Sequence, residues 1–258
     1  SDAGAEPSRH PTGAESPILP AGPSFGPRPA RPGFTPLPMA ASVSSSDPAS
    51  TLVLGVLGGI ASGKSTVGRL LAGPGGRMVA ADPLAHEVLA SPEVASLVAE
   101  RFGQEVLDPT GAVDRTALGA RVFEDPEARK ALEGWIHPRV RERIRAALEE
   151  ARSAGAPRVV LDVPLLMEND ADHHLMAACD HLVFIEVPDE VRDARAQRDR
   201  GWAPGEVARR EAAQLPLSEK RAAAGWVLEA DCPRDELPAR VDALLQRIEA
   251  TRPPHTSP

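Results

Sequence analysis

The sequence predicts an α/β domain with a mainly parallel β-sheet. Short unbroken apolar runs recur along the chain with helical stretches between them, as strands buried on both faces and their crossover helices require. The first run, Leu52-Val53-Leu54-Gly55-Val56-Leu57, leads straight into a glycine-rich turn and a helix, the local order of a strand–loop–helix unit. Proline marks the limits of the domain. Eleven of the 27 prolines lie in the first fifty residues and three in the last six, so a folded body is expected over 51–251. Residues 1–50, rich in Pro, Ala, Gly and Ser, and residues 252–258 are expected to be disordered tails. The first fifty residues lack a basic segment followed by an apolar one, so a secretory signal is not expected; Met39 is a candidate start.

The further runs are Arg77-Met78-Val79-Ala80-Ala81, Arg158-Val159-Val160-Leu161, His181-Leu182-Val183-Phe184-Ile185 and Trp226-Val227-Leu228. A helix over 64–71 joins the first two and stops at Gly73-Pro74-Gly75-Gly76. About 75 residues separate the second and third runs, and they read as helical. Ser91-Pro92 starts one helix, which Gly103 ends, and Asp125-Pro126 repeats the start signal. A third helix places Val140, Ile144 and Leu148 on one face and stops at Gly155. A parallel crossover needs about a dozen residues, so this insertion, 83–156, is expected to cover a substrate. Asp108-Pro109-Thr110-Gly111 has no apolar strand before it and reads as a turn.

The formal charge of −8 argues against bulk binding to nucleic acid or an anionic membrane. No apolar run approaches the roughly 20 residues that span a bilayer. Cys179 and Cys232 lack metal-ligand spacing and read as reduced thiols of a cytoplasmic protein.

The chemistry centres on Gly58-Gly59-Ile60-Ala61-Ser62-Gly63-Lys64-Ser65, which matches G-x-x-x-x-G-K-[ST] at every fixed position. A loop of this kind between a strand and a helix curls successive backbone N–H groups round a phosphate, and the helix dipole favours the negative charge. Gly59, Ala61, Ser62, Gly63 and Thr66 are therefore candidate nucleotide-binding positions. Lys64 is placed to reach the β- and γ-phosphate oxygens, and Ser65 to ligate Mg²⁺. Guanine reading by N-K-x-D is absent, since Asn169, the only asparagine, is followed by Asp170.

Two carboxylates end apolar runs on the side where a parallel sheet binds ligands. Asp82, after the second run, is a candidate to orient and deprotonate an acceptor hydroxyl, or else to cap the helix at Pro83. Asp162, after the third, is a candidate to hold Mg²⁺ through water. Past the fourth run lie Arg192, Arg195, Arg198, Arg200, Arg209 and Arg210; a lid bearing arginines suits phosphoryl transfer, because closure excludes water. Arg115, beside the cap Asp114, and His137, before Pro138, are candidate substrate contacts on the insertion.

These blocks resemble the dephospho-coenzyme A kinases. The loop through Thr66, Asp82, Ile136-His137-Pro138, Asp162-Val163-Pro164-Leu165-Leu166-Met167-Glu168 and Gln197-Arg198-Asp199 occur in that family's order. Gln214-Leu215-Pro216-Leu217-Ser218-Glu219-Lys220-Arg221 completes them, so the resemblance covers roughly residues 52–248. It implies a P-loop fold with a nucleotide core (51–82, 157–191 and 214–251), a helical coenzyme A-binding insertion (83–156) and a lid (192–213). It also implies ATP-dependent phosphorylation of the ribose 3′-hydroxyl of dephospho-CoA, with Mg²⁺, and Arg198 closing over the transferring group. The chain departs from the family pattern at Leu57, Ala80, Ala194 and Ala230. A kinase for a smaller acceptor, or a regulatory module without turnover, would share the loop. The long insertion disfavours the first, and the arginine-rich segment disfavours the second.

Overall fold

In the computed structural model, residues 51–251 are described, and the expected tails lie outside them. The body is a five-stranded sheet of order β2-β3-β1-β4-β5, parallel at every pairing. Its strands are β1 (Leu52–Gly58), β2 (Arg77–Ala80), β3 (Arg158–Asp162), β4 (His181–Glu186) and β5 (Trp226–Glu229). All seven residues of β1 are buried, because it lies at the centre of the sheet with helices on both faces. Successive side chains point to opposite faces. Val53 and Leu57 accordingly join a core with Val79, Leu161 and Phe184, whereas Leu54 and Val56 join another with Val67, Leu71, Val160 and Ile185. The second core is closed by α1 (Lys64–Ala72) and α10 (Leu237–Ala250), through Leu71, Leu244 and Ile248. Each fully buried aliphatic side chain contributes about 1.5–3 kcal/mol.

The first core is covered by the insertion: α2 (Ala81–Leu89), α3 (Pro92–Phe102), α4 (Arg115–Glu124) and α5 (Pro126–Ser153). Capping explains three of the starts. Ser91 Oγ accepts from Val94 N–H at 3.4 Å, Asp114 from Thr116 at 2.8 Å, and Asp125 from Glu127 at 2.9 Å.

Two expectations change here. The Asp125-Pro126 start and the stretch bearing Val140, Ile144 and Leu148 are not separate helices but one helix of 28 residues. Pro138 lies inside it and removes one backbone hydrogen bond, at a cost of about 3 kcal/mol. The buried row Leu132, Ile136, Val140, Ile144 and Leu148 keeps its spacing of four across the proline, and its continuous burial outweighs that loss. The second apolar run is also shorter than its composition suggests: β2 stops at Ala80, and Ala81 already belongs to α2. Asp108 folds as the expected turn, its Oδ1 accepting from Thr110 N–H at 2.8 Å and Ala112 N–H at 3.1 Å.

Beyond β3, a short α6 (Asp170–His173) precedes β4, and α7 (Asp189–Arg200), α8 (Glu206–Glu211) and α9 (Leu217–Ala223) lie between β4 and β5. Among the described residues no helix is long and apolar enough to cross a membrane.

Candidate active site

The loop of residues 58–65 joins the carboxyl end of β1 to α1. Gly63, at the N-cap of α1, has φ of 85°, a left-handed conformation that costs glycine nothing. At Gly58 a Cβ would lie 2.8 Å from the Ile185 carbonyl oxygen, so only glycine lets β1 and β4 approach this closely. No acidic residue stands in the first turn of α1, which leaves its positive end for an anion. Ser62 is buried, and among the described residues its hydroxyl has no hydrogen-bond partner.

Lys64 folds back over the loop and donates to the carbonyl oxygens of Gly58 at 3.1 Å and Gly59 at 2.8 Å. Burial pulls its ammonium pKa down to about 8, against the attraction of Asp162 and with added repulsion from Lys220. Ser65 Oγ donates to Asp162 Oδ2 at 2.6 Å, across 97 residues of sequence. Adjacent β1 and β3 bring their carboxyl ends together and so create this pair. Both oxygens are hard donors, of the kind that holds Mg²⁺ beside substrate phosphates.

Asp82 lies in the first turn of α2, but Ala80 is the N-cap residue and no side chain caps the helix. Capping is therefore not what Asp82 does. It stands just past the carboxyl end of β2, whose last residue pairs with Asp162 of β3; burial raises its carboxyl pKa and Asp162 raises it further. His86, Arg200 and Lys64 act on it in the opposite sense. The structure thus gathers Lys64, Ser65, Asp82 and Asp162 at one end of the sheet.

The arginines divide. Arg192, only 1% exposed, and Arg195 touch the loop: Arg192 Nη1 donates to Ile60 O at 3.1 Å and Arg195 Nη1 to Ser62 O at 3.5 Å. Arg198 is exposed and donates to both carboxylate oxygens of Asp199, at 2.7 and 2.9 Å. The charge of Arg200 is felt at Lys64 and Asp82, and its guanidinium lies 4.9 Å from the Trp202 ring centre. Arg115 opens α4 and His137 lies mid-way along α5; both are exposed, and neither bonds to the loop. A cavity of about 540 Å³ opens beside Gly59, lined by Glu186, Asp189, Arg192, Arg221 and Asp231 among others.

Sequence reasoning missed two carboxylates of this region. Glu211 accepts from Ile60 N–H and from Arg192 Nη1, each at 2.6 Å. Glu168 pairs with the buried Lys220 at 2.6 Å, and Lys220 also donates to Gln214 at 3.0 Å. The only signal for the second pair was a lysine in a chain that has three.

The model of the family described as dephospho-CoA kinase matches residues 52–236, a span that includes the loop, the insertion and the arginine-bearing segment. The chain belongs to the dephospho-CoA kinases. It is 41% identical over 202 residues to the dephospho-CoA kinase of Anaeromyxobacter dehalogenans, covering 78% of this chain and 93% of that one. A protein of solved structure from Thermus thermophilus superposes with a TM-score of 0.60 at 35% identity, covering 79% of this chain and all of the other. The dephospho-CoA kinase from Campylobacter jejuni shares the fold, with a TM-score of 0.56 at 23% identity over 77% of this kinase and 97% of its own chain. The expected P-loop α/β architecture of this kinase is thereby established together with its family.

Proposed function

We propose that this kinase transfers the γ-phosphoryl group of ATP to the ribose 3′-hydroxyl of dephospho-CoA, the last step of coenzyme A synthesis, in the cytoplasm. The family match over residues 52–236 carries the reading, and the cluster of Lys64, Asp82 and Asp162 supports it. Phosphoryl transfer leaves the protein little covalent chemistry, so positioning and charge stabilisation supply the rate.

The loop amides at Gly59, Ala61, Ser62, Gly63 and Thr66 and the Lys64 ammonium hold the nucleotide phosphates. Ser65 and, through water, Asp162 are the residues that would hold Mg²⁺, which when bound neutralises charge on the β- and γ-oxygens. Asp82 orients the acceptor hydroxyl and takes its proton as the oxygen bonds to the γ-phosphorus. The bond from that phosphorus to the bridging oxygen breaks, and ADP leaves with the electron pair. Arg195, already at the loop, faces the phosphates, and Arg198 exchanges Asp199 for the transferring group when the lid closes. Residues 192–213 form that lid. The insertion, 83–156, seats the acceptor, with Arg115 and His137 as its contacts.

A single-turnover assay with γ-labelled ATP and a panel of acceptors tests the proposal. Label should move to dephospho-CoA and be removed again by a 3′-nucleotidase. Preferential labelling of a nucleotide or a small hydroxy acid would refute the substrate, and label retained in ATP with every acceptor would refute the enzyme.

A further inference from the structure

The expected chemistry leaves Arg192 and Glu211 unused, although both bond directly to the backbone of the phosphate loop. Arg192 comes from the first turn of α7 and Glu211 from the last turn of α8, and they meet on one residue, Ile60. Glu211 Oε1 accepts from Ile60 N–H at 2.6 Å, while Arg192 Nη1 donates to Ile60 O at 3.1 Å and to Glu211 Oε1 at 2.6 Å. The other two nitrogens of Arg192 also donate: Nε gives to Val187 O at 3.3 Å, and Nη2 to Asp189 Oδ1 at 2.7 Å. Both backbone groups of Ile60 are thus gripped by one ion pair whose side chains are 2% and 14% exposed.

We propose that Arg192 and Glu211 are a positioning pair that holds the phosphate loop in its anion-binding shape before nucleotide arrives. Two neighbours of Ile60 support this. Ala61 has φ of 58°, a left-handed conformation that a residue with a side chain keeps only when its surroundings over-determine it. On the other side, a Cβ at Gly59 would collide with the Arg192 guanidinium, so this glycine makes room for the arginine. The charges also fit the task. A lone carboxylate here would repel nucleotide phosphates; paired with Arg192, it brings an acceptor to the loop with little net charge. Because both ends of the segment 192–211 converge on Ile60, the same pair fixes where Arg195 and Arg200 stand relative to the phosphates.

The inference rests on reading the loop as the nucleotide site, and its test uses MgADP binding, which needs no acceptor. Calorimetry on the full chain, well below each melting temperature, compares the parent with Glu211→Ala, Glu211→Gln and Arg192→Lys. Losing the acceptor in Glu211→Ala should weaken MgADP binding about tenfold, while Glu211→Gln, which keeps it, should stay within about threefold of the parent. Arg192→Lys keeps the charge but not the planar fork and should weaken binding at least about fivefold. Parent-like affinity in Glu211→Ala, even with a lower melting temperature, would reduce the pair to a support of the fold. Tighter binding in that variant would make Glu211 a competitor of phosphate, and a Gln variant as weak as Ala would show that charge, not the Ile60 bond, matters. Should Glu211→Ala fail to fold, parent-like affinity in Arg192→Lys overturns the proposal. Dephospho-CoA phosphorylation by the parent is measured separately. Its absence sinks the substrate assignment while MgADP binding still reports on the pair, and a parent that does not bind MgADP sinks both.

Discussion

Replacing Asp82 by asparagine separates chemistry from support more cleanly than any other single change in this kinase. Asparagine keeps the shape of the side chain and removes its basicity. Asp82 is the second residue of α2 and not its cap, so no capping bond is lost with the charge. The carboxyl pKa is raised, first by burial and then by Asp162, which means that the folded protein disfavours the ionised form. A raised acid pKa gives stability below that pKa that is lost as pH rises through the interval above the ordinary 3.8, so ionisation of Asp82 is a burden on the fold. Asparagine lifts that burden and forfeits about 0.3–1 kcal/mol of attraction to the N-terminal dipole of α2. The two effects oppose each other, and the melting temperature should move by no more than about 3 °C. Turnover should respond very differently. General-base contributions are about 10²–10⁴-fold, and a loose transition state, in which the acceptor proton leaves late, favours the low end. Steady-state ADP release with dephospho-CoA should therefore show kcat lower by about 10²-fold, with MgADP affinity unchanged. A kcat within about tenfold of the parent would refute a proton-accepting role for Asp82.

Lys64 should impose a pH dependence on nucleotide binding. With its pKa at about 8 it is charged below that value, so MgADP affinity should fall about tenfold between about pH 7 and pH 9, and a flat profile would contradict the burial of its ammonium. The same depressed pKa makes the unfolded chain bind more protons between about 8 and 10.5, so stability should rise with pH through that window. Lys220→Met leaves Glu168 buried without its partner and should cost about 3–5 kcal/mol in denaturant unfolding. The double variant Glu168→Leu, Lys220→Met should recover most of that loss, and a single-variant cost below about 1 kcal/mol would show the pair to be solvated. Arg198→Ala should lower kcat about 10²-fold with melting temperature and MgADP affinity unchanged, whereas unchanged kcat would pass the role to Arg195 or Arg200.

The parallel sheet and the phosphate loop could be read from the amino-acid sequence because both are properties of short stretches of chain. An unbroken run such as 52–57 is stable only as a strand covered on both faces, and glycines at 58 and 63 followed by Lys64 dictate the turn that follows. The starts at Ser91, Asp114 and Asp125 were legible for the same reason, since a cap acts within three residues. The end of β2 and the continuity of α5 were not. Local signals at Ala81 and Pro138 are weak or adverse, and burial against the rest of the core decides both. Distance along the chain hid the site's own pairings: Ser65 meets Asp162 and Ile60 meets Glu211 only because strand order and helix packing bring them together. Composition shows that many arginines follow β4, but not which of them turns inward. The rotation of α7 against the sheet buries Arg192 beside the loop and leaves Arg198 in solvent, and that rotation is set by packing that no local stretch of sequence encodes.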